Sequence, residues 1–448
     1  MERSESLGQE PIGKLLLKQA VPASIGFLVM TIYSIVDTIY VGQFIGSLAL
    51  AAVTVVTPIS FLISSIGMAI GVGGASVISR AMGANNYEKA SNTLGNMIGF
   101  TISLSLLIVI LGFSFLPEII HAFGGKGDIL EPASTYFGIL LLGGPLLAWL
   151  MMSNNVIRSQ GKAKMAMLTL GLSAVLNIIL DPIFIFVLDW GLAGAAWATV
   201  VSYTFSTAYA IYFFFSRYNE LRLKPSDFRP NFGLLKEIFS IGGISLARQA
   251  SVSVLAIVLN NSLFAYGGEL AVAVYGIINR VMMFSIFPVI GVVQGFLPIA
   301  GYNYGAENWE RVKDSIKTAG ISGTVIASVG FFAVLLFPGF IVSVFTSDID
   351  ILIQTPGALI TVFLASPLIG IQLIGSAYFQ AIGKALPALL LTMTKQGFFL
   401  IPLVLTMPLW FGLEGIWYSF PIADIMAATI TAAYTYREVK RKLLRPQV

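Results

Sequence analysis

Long apolar segments separated by short polar ones dominate the chain. The run 104–115 holds no charged residue and lacks the alternation of apolar and polar positions that a barrel strand shows. A helix needs about 20 apolar residues to cross a bilayer. By that measure the pattern predicts twelve transmembrane helices, at 17–42, 48–78, 93–122, 132–156, 165–188, 191–215, 235–265, 270–300, 312–343, 351–379, 386–409 and 412–435.

The composition agrees with a membrane protein and excludes several classes of chemistry. Of the 448 residues 56% are hydrophobic and 11% are charged, whereas soluble proteins have about 25% charged residues. Lipid as the solvent requires helices or closed barrels, so we expect an all-α polytopic membrane protein. There is no cysteine and a single histidine, His121. Disulfides, thiolate nucleophiles and most metal or triad sites are thereby excluded, so we expect neither an enzyme nor a cofactor.

Basic residues collect in alternate loops, which predicts the orientation of the chain. They occur around 80–89, 158–164, 217–236, 311–317 and 384 and at both ends of the chain, whereas the opposite loops hold clearly only Lys126. Lys and Arg in short loops mark the cytoplasmic side. We therefore expect both termini in the cytoplasm, twelve spans of a plasma (inner) membrane protein, and no nucleic-acid partner despite a net charge of +4. The first ten residues are polar with three acids, so we expect the first span to be retained rather than cleaved.

The chain also repeats itself at a nearly constant offset. Four short motifs recur, the first three 222 positions apart and the last 221 apart: 83–90 with 305–312, 46–49 with 268–271, 161–163 with 383–385, and 191–194 with 412–415. Six spans in each half give both halves the same topology, which implies a pseudo-twofold axis along the membrane normal with a cavity between the halves. We predict an N-terminal lobe at 1–216, a linker at 217–233, a C-terminal lobe at 234–436 and a basic tail at 437–448.

Ionisable residues within spans are costly and therefore point to function. Asp37 follows Lys18 by nineteen positions, and Asp181 follows Lys164 by seventeen, so both lie in the outer half of their spans. Thr199 reaches a similar depth from the opposite end of the sixth span, and Asn177 lies four positions before Asp181 on the same helix face. Two carboxylates with amide and hydroxyl oxygens predict a site for a proton or for a hard cation such as Na⁺. The alternative is that each aspartate only makes a hydrogen bond between packed helices.

The second half holds a different set of ionisable residues, namely Arg248, Arg280, Lys395 and Asp424. Lys395 and Asp424 are candidates for an ion pair between the last two spans, or for residues that line the cavity. The sequence leaves the roles of all four open.

Several motifs resemble those of the multidrug and toxic compound extrusion (MATE) family. They are 177–182 (NIILDP), 191–199 (GLAGAAWAT), 36–42 (VDTIYVG) with Pro22 upstream, and the paired loops 83–87 and 305–309. The resemblance covers essentially the whole chain. It implies two six-helix lobes and antiport of a proton or Na⁺ against cationic drugs.

The resemblance also implies which residues act. In the DinF-like branch of the family the cation site lies in the first lobe, and the matching positions here are Tyr33, Asp37, Tyr136, Asn154, Asn177, Asp181 and Thr199. In that branch the first helix is proposed to bend at its proline, here Pro22. A NorM-like branch uses acids in its seventh and tenth helices. Here the seventh span carries Arg248 and the tenth carries Gln372, which argues against a site in the second lobe.

We therefore expect an ion-driven exporter of cationic, amphipathic compounds that works by alternating access. It would use no cofactor beyond the coupling ion, bind no metal beyond Na⁺ at the same site, contact membrane lipid and act as a monomer. The alternatives are a lipid-linked oligosaccharide flippase of the same superfamily and, from another class, a membrane-embedded enzyme. A flippase usually has more spans and a strongly basic cavity, and the missing cysteine and the lone histidine disfavour an enzyme.

Overall fold

The computed structural model describes residues 4–443, which fold into α-helices with no β-strand in that range. The α-helices are α1 (Ser6–Gln9), α2 (Ile12–Tyr40), α3 (Ser47–Gly83), α4 (Tyr87–Ser114), α5 (Leu116–Ala122), α6 (Leu130–Ser159), α7 (Ala163–Pro182), α8 (Gly191–Phe215), α9 (Phe232–Gly305), α10 (Trp309–Leu336), α11 (Pro338–Ser343), α12 (Ile349–Phe363), α13 (Ile369–Ala381), α14 (Ala385–Met393), α15 (Ile401–Thr406) and α16 (Pro408–Leu443). Turns of π-helix follow α2, α7 and α14, at Val41–Ile45, Ile183–Val187 and Thr394–Leu400.

The predicted helical membrane architecture is confirmed. Within residues 4–443, eleven helical segments are long and apolar enough to cross a membrane. One of them, α9, has 74 residues, and its backbone turns at Gly268 (φ 65°, ψ −161°). At about 1.5 Å per residue an unbroken α9 would be about 110 Å long, far more than the roughly 30 Å of a hydrocarbon core. The two parts of α9 therefore count separately, and the total is twelve.

Two predicted spans are too long because a proline ends the helix early. The third was predicted at 93–122, but α4 ends at Ser114 and α5 begins at Leu116. The ninth was predicted at 312–343, but α10 ends at Leu336 and α11 begins at Pro338. Pro117 and Pro338 lie in the first turn of the new helices, where proline is tolerated. Within a continuous helix each would remove a backbone donor and crowd the preceding turn. Hydropathy does not register these breaks because both sides of each are apolar.

The duplication extends to the backbone of the loops. Asn86 caps α4 by accepting a hydrogen bond from the amide of Lys89, and Asn308 caps α10 in the same way through the amide of Arg311. Gly161 and Gly383 adopt nearly the same left-handed conformation, with φ of 78° and 80°. A side chain at either position would be strained. The loops that turn the chain are thus repeated as well as the helices.

The chain forms two compact units. Among the described residues, the first unit comprises Ile25–Ser245 together with residues 4–7, and the second comprises Gly8–Ser24 and residues 246–443. Each unit has its own apolar core, which includes the buried Phe137 in the first and the buried Leu359 in the second. Large apolar side chains such as Ile110 also cover outward faces of the helices, as lipid-facing positions require.

Close packing of α3 against α6 depends on a glycine. A Cβ atom added to Gly67 would lie 2.6 Å from the Cα and carbonyl oxygen of Ala148. At Gly99 in α4, by contrast, an added Cβ meets no atom within 4 Å. The backbones of α3 and α6 therefore approach as closely as small residues permit in membrane helices.

We expect Gly67→Ala to destabilise the protein by about 1–3 kcal/mol, the usual cost of overpacking. The control Gly99→Ala should be neutral or slightly stabilising, since alanine favours helix over glycine. Thermal unfolding of the detergent-solubilised variants measures both. An unchanged melting temperature for Gly67→Ala would contradict the close approach of the two helices.

Candidate functional site

A cavity of about 200 Å³ lies inside the first unit, between α2, α3, α6 and α8. Its wall combines one carboxylate with hydroxyl groups, tyrosines and methionines. The polar and sulfur-containing side chains of the wall are those of Met30, Tyr33, Ser34, Asp37, Thr38, Thr57, Ser60, Ser64, Tyr136, Met151, Thr199 and Tyr203. No basic residue is among the described residues that line it.

The two aspartates predicted from their depth meet at this wall. Asp37 lines the cavity, whereas Asp181 is fully buried behind it. Their carboxyl groups are close enough to hydrogen-bond to each other when one of them carries a proton. Asp37 and Asp181, whose depths agree when counted along two separate helices, are therefore also neighbours in space.

Asn177 and Thr199 complete this group. Asn177 Nδ2 donates a hydrogen bond to Asp181 Oδ1 over 3.2 Å and another to Thr199 Oγ1 over 3.1 Å. Thr199 in turn donates to the carbonyl oxygen of Ala195, so its hydroxyl proton is already used. Both hydrogens of the amide and the hydroxyl hydrogen are thus directed within the group or into the helix.

Three oxygen atoms of the group are buried without a hydrogen-bond donor in the described part of the chain. They are Asp37 Oδ1, Asn177 Oδ1 and Asp181 Oδ2. Ionised carboxylates can only accept, and a buried acceptor without a partner costs about 1–3 kcal/mol, more when it is charged. The group therefore has three acceptor atoms that its own donors leave unsatisfied.

Local helix irregularities lie next to both carboxylates. The π turn Val41–Ile45 begins four residues after Asp37, and the π turn Ile183–Val187 begins two residues after Asp181, directly beyond Pro182. Proline cannot continue the α-helical hydrogen-bond pattern, and π turns occur frequently at functional sites. The helix therefore changes type directly beyond Pro182.

The tyrosines of the site include one that the sequence reading did not identify. Tyr33 and Tyr136 line the cavity as expected, and so does Tyr203. Tyr203 lies four positions after Thr199 in α8, so both share one face of that helix. That four-residue spacing is the feature of the sequence that could have identified Tyr203 as a site residue.

Asn154 is not brought to the cavity. Its amide nitrogen donates to the carbonyl oxygen of Ala166 over 2.6 Å and to Thr169 Oγ1 over 3.1 Å, and its Oδ1 accepts from Arg158 over 2.7 Å. Its amide nitrogen is thus used in packing α6 against α7, and its oxygen in a hydrogen bond within α6. The structural reason is depth, since Asn154 lies in the last two turns of α6.

Pro22 is buried inside α2, which continues through it without interruption. The division between the two compact units falls two residues later, between Ser24 and Ile25. The one proline of α2 thus lies beside the point at which the helix passes from one unit to the other.

In the second unit Lys395 and Asp424 form an ion pair, with 2.5 Å between Lys395 Nζ and Asp424 Oδ1. Both also line a small cavity of about 60 Å³, and Lys395 lies in the third π turn. Arg248 and Arg280 are exposed in the structure. The second unit therefore has a neutralised pair where the first has two acids.

Comparisons with known proteins agree with this architecture. The MatE family model matches twice, at residues 22–183 and 245–406, so the duplicated halves are recognised separately. The multidrug export protein MepA of Staphylococcus aureus is 30% identical over 429 residues, which cover 96% of this chain and 94% of MepA.

Solved structures are similar over 99% of this chain. A multidrug resistance MATE family transporter of the MOP superfamily, solved in an outward-facing conformation, has a TM-score of 0.91 and 28% identity, with 99% of its own chain covered. A MOP superfamily transporter from Pyrococcus furiosus, described as having a binding pocket of reversed polarity that suggests a different function, has a TM-score of 0.92 and 27% identity, with all of its chain covered.

Twelve spans in two homologous halves, with an unpaired carboxylate group on an internal cavity, define a multi-pass membrane transporter rather than an enzyme. The chain belongs to the MATE family of multidrug efflux transporters.

Because Asp37 and Asp181 contact each other, they should act as one group. We expect Asp37→Asn and Asp181→Asn each to abolish drug export, and the double variant to lose no more than either single one. Asn177→Ala and Thr199→Ala remove only neutral oxygens and should keep part of the activity. Initial efflux rates at equal expression measure this. Additive losses, with substantial activity in each single variant, would show that the carboxylates work separately.

The ion pair of the second unit predicts an asymmetry between the two halves. Asp424→Asn should reduce export less than Asp181→Asn, because Asp424 is neutralised by Lys395 and Asp181 has no basic partner. Asp424→Asn should mainly lower thermal stability, since it leaves a partly buried Lys395 without its partner. Efflux and unfolding measured on the same preparations test both parts. Equal export defects would remove the distinction between the halves.

Proposed function

We propose that this transporter is a secondary active antiporter of the cytoplasmic membrane, with both termini in the cytoplasm. It exports cationic, amphipathic compounds in exchange for a proton or Na⁺ by alternating access. The observation that carries the proposal is the buried group of Asp37, Asn177 and Asp181, which presents three oxygen atoms without donors. No cofactor other than the coupling ion, no nucleic acid and no second subunit is part of the proposal.

The group can hold either coupling ion through its own atoms. One proton placed between the carboxyl groups of Asp37 and Asp181 would supply the missing donor and remove one negative charge. Na⁺ would instead be held by the carboxylate oxygens together with the Asn177 and Thr199 oxygens, which are hard ligands suited to a hard cation. Because Asp37 alone of the two acids faces the cavity, ions enter and leave past Asp37 in either case.

The cavity wall favours a cationic cargo. It carries the negative charge of Asp37 without a basic residue among its described lining, and Tyr33, Tyr136 and Tyr203 can contact a cation through their ring faces. Met30 and Met151 add adaptable apolar surface that suits dissimilar drugs. A flippase for anionic lipid-linked sugars would need the opposite charge at this wall.

Coupling requires that the occupied and the empty group favour different conformations. Asp37 lies fifteen positions after Pro22 on the same helix, and the helix changes compact unit directly after Pro22. Ion binding at Asp37 would therefore act on a helix that both units share, and Pro22 is the position at which it can bend.

We expect proteoliposomes containing the wild-type protein to move ethidium only when an ion gradient is imposed. Proton and Na⁺ gradients applied separately, each with the membrane potential clamped, identify the coupling ion. Asp37→Asn should be inactive under both gradients, whereas the control Asp128→Asn, an exposed acid outside the cavity, should match wild type. Ethidium movement without any gradient, or movement by Asp37→Asn at the wild-type rate, would contradict the proposal.

A further inference from the structure

A different cavity lies at the surface of the second unit, and its lining residues are far along the sequence from Asp37 and Asp181. It is an open groove of about 790 Å³ between α10, α13 and α16, and its lining is mainly apolar. At one end its rim carries three lysines, Lys313, Lys317 and Lys440. The function proposed above uses none of these residues.

The rim lysines are available to a ligand. All three are exposed, and none forms an ion pair with a residue in the part of the chain that the structure describes. The lining includes no carboxylate. Glu438, two positions before Lys440, is paired with Lys384 over 2.6 Å, and Asp314 is the one acid adjacent to Lys313. The rim therefore presents net positive charge above an apolar channel.

The groove has the depth of one membrane leaflet. Lys313 and Val325 are its end points on α10, twelve positions apart. At about 1.5 Å per residue this is about 18 Å, compared with about 15 Å for half of a hydrocarbon core. Charge at the rim and apolar surface along one leaflet match the headgroup and acyl chains of a phospholipid.

The first unit has a matching groove of about 780 Å³ at corresponding positions of the duplicated chain. Six residues that line one groove correspond to six that line the other, at an offset of 222 for the first three pairs below and 221 for the last three. Ile98, Ile102, Trp149, Ile211, Phe214 and Phe215 line the first groove, and their counterparts Gly320, Thr324, Ile371, Ala432, Thr435 and Tyr436 line the second.

The first groove also has a basic rim, although different residues supply it. Arg217 and Arg222 of the segment after α8 line it, and no acid does so among its described residues. The sequence predicts that both rims lie at the cytoplasmic end of their helices. Equivalent grooves in the two units thus both have a basic rim, formed by residues that do not correspond in the duplication.

We propose that each unit binds an anionic phospholipid of the cytoplasmic leaflet in this groove, with the headgroup phosphate on the basic rim and an acyl chain along the apolar wall. Basic pockets between transmembrane helices on the cytoplasmic side bind anionic headgroups. A cationic drug would be repelled by the rim, and a water-soluble anion would leave the apolar wall exposed.

The test is lipid binding to the purified, delipidated protein, with bound phosphatidylglycerol and phosphatidylcholine counted by native mass spectrometry. We expect two tight phosphatidylglycerol molecules per chain, both preferred over phosphatidylcholine. Lys313→Gln, Lys317→Gln and Lys440→Gln should each weaken one of the two by about fivefold, and the triple variant by about a hundredfold. Arg217→Gln with Arg222→Gln should weaken the other. Lys236→Gln, an exposed lysine that lines neither groove, is the matched control and should bind as wild type.

A variant that fills the groove tests the contribution of the acyl chain to binding separately from that of the basic rim. Gly320→Leu should fold, since an added Cβ there meets no atom within 4 Å, and it should reduce binding while all three lysines are present. Thermal unfolding checks the folding of every variant. The proposal is overturned if phosphatidylcholine binds as tightly as phosphatidylglycerol, if the triple lysine variant keeps wild-type binding, or if Gly320→Leu has no effect. It is also overturned if glycerol phosphate or a cationic amphiphile displaces the lipid at equal concentration.

Discussion

The first unit is organised around one constraint: two neighbouring carboxyl groups, one fully buried and one at a cavity wall, have no basic partner in the described part of the chain. Burying a charge is expensive unless it is paired, yet Asp37 and Asp181 have only Asn177 and each other. The surrounding cavity reaches Asp37, and the π turns beside both residues interrupt the regular helices. The protein's own hydrogen-bond donors therefore leave oxygen atoms of this site unsatisfied. An ion-coupled transporter needs a site of this kind.

The duplication places equivalent helices in both units but gives them different electrostatics. The second unit pairs Lys395 with Asp424 beside a small cavity, so its buried acid is already neutralised within the protein. The repeated scaffold thus carries one unit whose acids have no basic partner among the described residues and one whose buried acid is paired. The proposed ion coupling assigns the exchange to the first unit, because an ion pair already neutralises the acid of the second.

The membrane accounts for two structural features that recur in both halves of the chain. Apolar outward faces and left-handed loop residues recur in both halves because each half must cross the bilayer six times with the same turns. The grooves with Lys313 and Arg217 at their rims lie on these outward faces. Contacts with lipid are therefore part of the repeated design, although the basic residues that mark them differ between the halves.

Much of this structure could be predicted from residue positions, because residue number along a membrane-spanning helix corresponds to depth in the membrane. The spans, the duplication and the common depth of Asp37, Asp181 and Thr199 all follow from counting residues at a fixed rise. Counting could not determine lateral neighbours, which depend on how each helix is rotated and packed. The tertiary structure alone placed Tyr203 at the cavity and turned the Asn154 amide toward α7. It also showed that Lys395 and Asp424, a candidate pair from the sequence, do form an ion pair. It also decided where α4 and α10 end, since a proline within an apolar stretch changes the backbone without changing hydropathy.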